Sequence, residues 1–256
     1  MNEGEVMALI DALLAGLPDG PVREVRVGAH WTAVVVDLEG RARCGLASTL
    51  HDEGEHHHGG GPPVREAGDL TLRSGRELAE LAHSDRPTEV SIGVAAINAL
   101  LPRDESAWTD INAGDVLAEH GVGKHVALVG HFPFVPTLRE RVARLSVLEQ
   151  RPRGDDLPAE AAPQVIPQAD LVAISGTALI NGTLDGLLGL CRSDALVMVL
   201  GPSTPLSPIL FEHGVDLLSG AVVEAIGPVL EAVSQAASFR QVHRRGVRLV
   251  TMHRPD

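Results

Sequence analysis

Residues 171–183 read LVAISGTALINGT and residues 196–205 read LVMVLGPSTP. Each opens with a short, unbroken apolar run and stops abruptly at glycine, serine, threonine or proline. A half-exposed strand would alternate apolar with polar residues, so a continuous run this short reads as a strand buried on both faces. Working outward, the same pattern recurs at 125–130, 145–149 and 216–223, with helical segments between the runs at 137–144, 158–166, 183–191 and 206–213. Strands alternating with helices predict a parallel sheet covered on both sides. A closing helix is expected over 222–237 and an edge strand over 247–252.

The first half has a different rhythm. Apolar residues at Val6, Leu9, Ile10, Leu13 and Leu14 predict an amphipathic helix over 5–17, ended by Pro18-Asp19-Gly20. Runs at 31–37 and 42–49 flank Glu39-Gly40 and predict an antiparallel hairpin. Ser74 is placed to cap a short helix, and Pro87 opens a longer one, TEVSIGVAAINALL, that stops before Pro102. The expected boundary falls in the polar segment 102–114, which divides the chain into 1–105, a small α+β leader, and 106–256, the parallel-sheet domain. No internal repeat is visible.

Composition narrows the function classes. The 256 residues carry 34 acidic against 21 basic side chains, a net charge of −13, and lack the basic footprint of a nucleic-acid binder. Six aromatic residues and no tyrosine leave little for base stacking and assign the core to Val, Leu, Ile and Ala. No apolar run approaches the ~18 residues of a membrane span, and the acidic first residues have no basic export leader. A cytoplasmic protein is expected, with Cys44 and Cys191 reduced core residues.

In an open α/β sheet, ligands lie beyond the carboxyl ends of the strands. Four successive strand ends here carry polar or backbone-permissive residues: His131, Phe132 and Pro133; Glu149; Ser175, Gly176 and Thr177, followed by Asn181 and Thr183; and Gly201, Pro202, Ser203 and Thr204. Any one of them alone reads as an ordinary strand–helix turn; four together favour a site. Glu149 lies where a dinucleotide-binding fold places the acid for ribose hydroxyls, but the preceding turn GHFPFV has one glycine and a proline, so NAD is not expected. His131, Glu149 and Asn181 are the candidate catalytic residues, with the others as ligand-binding. His131 could act as acid, base or ligand, although a lone histidine is more often a bonded structural one. The loop HDEGEHHHGGG supplies His51, His56, His57 and His58 as candidate metal ligands. Imidazoles beside carboxylates suit Ni, Zn, Co or Cu, while the same composition also describes a solvated connection.

GHFPF, the segment RPRGDDLPAEAAPQVIPQADLVAISGTALINGTLDGLL and LGPSTPLSPILFEHGVDLLSGAVV together resemble the family of heavy-metal chelation domains. WTAVVVD, RARCGLAST and the helix IGVAAINALL look like the leader that precedes that domain. The resemblance implies an enolase-N-terminal-like leader, a Rossmann-like second domain, and a site in the cleft between them. Carried over by motif, the site takes the strand-end residues above, with Asn98 reaching in from the leader helix. Heavy-metal chelation or chelatase-like (lyase-like) chemistry follows only by that resemblance. Two functions compete: a protein that binds a divalent transition metal, a small organic chelator or both, and a metal-independent enzyme or sensor for a small anionic metabolite. Neither involves nucleic acid or a membrane, and homodimerisation is compatible with both.

Overall fold

Glu39 and Gly40 both take positive φ, 52° and 75°, the backbone of a two-residue hairpin turn whose twist matches its strands. Strands β2 (Trp31–Leu38) and β3 (Arg41–Ser48) run antiparallel from it, and β1 (Val22–Val27) adds on the other side of β2. The pairing register joins Leu38 to Arg41 and Trp31 to Ser48. Strand β1 is not anticipated from sequence: its valines alternate with Arg23, Glu24 and Arg26, and only Val22 is buried. The computed structural model describes residues 8–51 and 61–255.

Helix Pro87–Leu100 lies on β2 and β3. Pro87 opens it, as its missing N–H is an orphan there in any case. Its side chains are buried on nearly every side, from Val90 to Leu100, so its sequence is apolar all round instead of striped. Ser74 caps helix Gly75–Ala79 through a reciprocal pair with Glu77, as expected. The helix predicted over 5–17 spans Leu9–Ala15 among the described residues, with Leu9, Leu13 and Leu14 buried.

The second sheet holds eight strands: β4 (Trp108–Thr109), β5 (His125–Val129), β6 (Arg144–Glu149), β7 (Leu157–Pro158), β8 (Leu171–Ser175), β9 (Leu196–Leu200), β10 (Leu217–Val223) and β11 (Val247–His253). Their order is β4-β11-β10-β9-β8-β5-β6-β7. Five pairs, from β7–β6 through β9–β10, are parallel, whereas β4 runs antiparallel to β11. The class is α/β, with a mostly parallel sheet flanked by helices. Val126, Leu128, Val147, Ala173, Met198 and Leu200 form the centre of its core; each such aliphatic side chain contributes about 1.5–3 kcal/mol on burial. From β5 the chain winds outward to β6 and β7, then returns to β8 on β5's other side. The strand order therefore reverses between β5 and β8, the place where such sheets open a crevice at their carboxyl ends.

Contacts gather the chain into two compact units, Met1–Pro102 with Val222–Arg248 and Arg103–Ala221 with Leu249–Asp256. The sequence division at 105/106 is contiguous, whereas the contacts return 222–248 to the first unit. The closing helix expected over 222–237 is Ile226–Ser234, because β-branched Val222 and Val223 extend β10. Strand β11 is not an edge; two-residue β4 lies outside it. The four linking helices are shorter than their patterns: Val135–Arg139, Ala162–Val165, Leu184–Leu188 and Ile209–Glu212. Pro136, Pro163 and Pro208 fix their starts, and Gly189 and Gly214 lie at or just past two of their ends.

Candidate functional site

Strand β5 ends in Gly130, whose φ of 103° is open to glycine and strained for other residues. Space makes the same demand: a Cβ there would lie 3.0 Å from Ser175 Cβ and 3.2 Å from the Phe132 ring. The ring of Phe132 also reaches the end of β9, 3.8 Å from the Cβ position of Gly201, and stacks on Phe134 with centroids 5.2 Å apart. Gly176, after β8, is pressed against the β9 loop, with Thr204 N 2.7 Å and Thr204 Oγ1 2.8 Å from where a Cβ would sit. Strand ends β5, β8 and β9 are thus knit into one rim by side chains and close backbone.

The end of β6 joins the same rim through Glu149. Its Oε1 accepts the backbone N–H of His131 at 2.8 Å, and its Oε2 accepts that of Gln150 at 3.0 Å. Glu149 therefore holds the turn that carries His131, a positioning role that the ribose-acid analogy did not foresee. His131 in turn meets Asp156, which precedes β7. The side chain of Asp156 is only 2% exposed, and its Oδ2 lies 2.9 Å from His131 Nδ1 and accepts the N–H of Arg153 at 3.2 Å. An ionised carboxylate only accepts, so Nδ1 carries the proton and donates it. In the neutral ring the lone pair then lies on Nε2, which has no hydrogen-bond partner among the described residues. Asp156 was missed in the sequence because Asp155 stands beside it in the loop RPRGDDLP and nothing local says which is buried.

Hydroxyls line the rest. Ser175 Oγ and Thr177 Oγ1 are 2.7 Å apart. Ser203 and Thr204 are buried, at 1% and 2% exposure, and Thr204 Oγ1 has no hydrogen-bond partner among the described residues. A buried hydroxyl without a partner is destabilising by about 1–3 kcal/mol, so such groups recur where a ligand or water completes them. Pro133 is exposed in the His131 turn and Pro202 half-buried after Gly201. Asn181 and Thr183 close on each other instead: Asn181 Oδ1 accepts from Thr183 N at 3.2 Å and from Thr183 Oγ1 at 2.7 Å. Asn98 belongs to the first unit, where its amide donates to Leu46 O at 2.9 Å.

His51 Nε2 lies 3.1 Å from the carbonyl of Ala29, while His56, His57 and His58 fall outside the described residues. Among the described residues, no three His, Cys, Asp or Glu side chains are grouped to hold a metal ion. Burial first, and then the charge of Asp216, push the Cys191 thiol up to about 11, so it stays protonated at neutral pH and is a poor thiolate donor. No helix among the described residues is long and apolar enough to cross a membrane.

Residues 112–252 match the DUF364 family and residues 10–101 the DUF4213 family, each described as "Putative heavy-metal chelation". A DUF364-family protein of unknown function from Desulfitobacterium hafniense, solved by crystallography, is 29% identical, with a TM-score of 0.80 over 96% of this chain and 97% of that one. A second, from Pyrococcus horikoshii, is 23% identical with a TM-score of 0.81 over 96% and 100%, a likeness of fold. An uncharacterised protein of Methanocaldococcus jannaschii is 28% identical over 191 residues, 71% of this chain and 70% of that protein.

Proposed function

The chain belongs to the DUF364 family, and from that premise we propose that it binds a divalent transition metal (Ni, Zn, Co or Cu), a small organic chelator or both, at the carboxyl ends of β5, β6, β8 and β9. The observation that carries this reading is the His131–Asp156 pair, in which a buried carboxylate orients an imidazole with its Nε2 left over. Carboxylate-held histidines of this kind serve metals as ligands, since the outer hydrogen bond fixes the tautomer and raises basicity. The same Nε2 is equally suited to take a proton that a chelator releases when metal replaces it. Ser175 and Thr177 supply hydroxyls for the organic part of the ligand, the backbone at Gly201 is open but for the Phe132 ring, and the buried Thr204 hydroxyl lies behind them against Gly176. Cys44 and Cys191, which form no disulfide among the described residues, suit a reducing compartment, in keeping with a cytoplasmic protein.

A single imidazole does not make a resident metal centre, which takes three or four protein donors, and the described residues hold no such group. That shortfall, with the unpartnered Thr204 hydroxyl, supports the second reading, a metal-independent site for a small anionic metabolite. Metal analysis of untagged protein, purified after supplementation with Ni, Zn, Co and Cu, separates the two. Metal retained by the parent and lost in both His131→Ala and Asp156→Asn supports the first reading. Metal-free protein that still carries a co-purified organic ligand supports the second.

A further inference from the structure

We propose that metal enters the strand-end site only inside an organic chelate that supplies most of its donor atoms, and that the bare ion is not bound there. The inference rests on the metal-binding reading above and sharpens its substrate class. It begins from a count of available donors. His131 offers one nitrogen, Nε2, because Nδ1 is committed to Asp156 at 2.9 Å. Asp156 is buried against that ring and the Arg153 N–H, with 2% of its side chain exposed. Each oxygen of Glu149 accepts one backbone N–H, from His131 and from Gln150, so Glu149 can add at most one further, partly committed donor. The remaining rim groups, Ser175, Thr177, Ser203 and Thr204, are neutral hydroxyls, which hold a divalent transition ion poorly beside carboxylate, imidazole or thiolate.

A Zn-type ion takes four donors and Ni commonly more, so with one nitrogen and at most one carboxylate from the protein the remaining positions belong to a second molecule. A multidentate chelator with oxygen or nitrogen donors satisfies this requirement. Its complex keeps one position filled by water, and the Nε2 lone pair of His131 takes that position as the water leaves, with no change of oxidation state. Ser175, Thr177 and the backbone at Gly201 then meet the organic part. Thr204 is the second, independent sign of such a ligand, a hydroxyl 2% exposed with no hydrogen-bond partner among the described residues.

The experiment uses full-length protein carrying His56→Ala, His57→Ala and His58→Ala, so that the histidine-rich loop contributes no imidazole, and the same protein with His131→Ala added. Each is titrated by calorimetry with Ni(II) alone and with 1:1 Ni(II) complexes of nitrilotriacetate, iminodiacetate and citrate. The expected result is no His131-dependent binding of Ni(II) alone. At least one complex should bind at one per chain, weakened about tenfold or more by His131→Ala or Asp156→Asn and left alone by His83→Ala. Three results overturn the proposal: Ni(II) alone binding at one per chain and lost with His131, chelate binding indifferent to His131, or no complex binding at all. The first leaves the broader metal reading standing, whereas the last, together with metal-free purified protein, removes both. Circular dichroism of each variant checks that the chain remains folded.

Discussion

Two histidines flank strand β5, and they differ in how their ring nitrogens are used. At the amino end, the Nδ1–H of His125 donates to Gln168 O at 3.1 Å and its Nε2 accepts from Ser146 Oγ at 2.9 Å. Around it, Asp170 accepts the His125 N–H at 2.9 Å and Asp216 accepts the Val197 N–H at 2.8 Å. Polar side chains at that end bond back onto the sheet. At the carboxyl end His131 has one nitrogen committed and one left, Thr204 has an unpartnered hydroxyl, and Gly130 and Gly201 take positive φ. A sheet sealed at one end and unfinished at the other keeps its uncommitted polar atoms at the unfinished end. Histidine content alone does not distinguish them; the count of committed nitrogens does.

Substitutions can break or sharpen this contrast. The largest effect is expected from Gly176→Val, whose Cβ would fall 2.7 Å from Thr204 N and force the β8 and β9 ends apart. Urea unfolding should show a loss of about 3 kcal/mol; a variant as stable as the parent would mean that the rim is slack. Next comes the histidine pair. His125→Ala strands the buried Ser146 hydroxyl and should lose about 1–2 kcal/mol while keeping ligand binding. His131→Ala strands the buried Asp156 carboxylate, so it should lose at least about 1–3 kcal/mol, and unlike His125→Ala it should also lose binding. If the two variants behave alike, the two ends are not different in kind.

Thr204→Val keeps shape and removes the unpartnered hydroxyl, so the free protein should gain about 0.5–1 kcal/mol as ligand affinity falls. A loss of stability instead would show that the hydroxyl is satisfied in solution. The smallest effect concerns the sealed end. The His125 N–H first, and then the Arg192 guanidinium, hold the Asp170 carboxyl below its ordinary value. A depressed carboxyl contributes stability that is complete above its unfolded value near 4 and is lost as pH falls through the folded value. Asp170→Asn should therefore flatten the acid limb of the stability profile below about pH 4. An unchanged limb would remove Asp170 from the seal.

The strands of the large sheet were legible because burial on both faces leaves unbroken apolar runs such as Leu171–Ser175 and Leu196–Leu200. Strand β1 was not, since an edge strand needs little burial and its charged residues hide the period. In the site, His131 was legible as a histidine at a sheet end. Asp156 was not, because its burial depends on how the loop 150–156 folds back, which no local pattern encodes. Glu149 stood out as an acid at a strand end, but its partners are backbone N–H groups, and backbone has no letter in a sequence.

The return of Val222–Arg248 to the first unit has a consequence for synthesis. Helix Ile226–Ser234 packs on β1 and β2, Gly28 meets the Val233 carbonyl, and Trp31 meets the Phe239 ring at 5.2 Å. A ribosome that has delivered the first 102 residues has not yet made these covers. At about 10 residues per second the wait is on the order of ten seconds, during which the part of β1 and β2 that these residues cover has no permanent neighbour, although helix Pro87–Leu100 is already made. A fragment cut at Pro102, which lacks these covers, should therefore go to inclusion bodies while the full chain stays in solution.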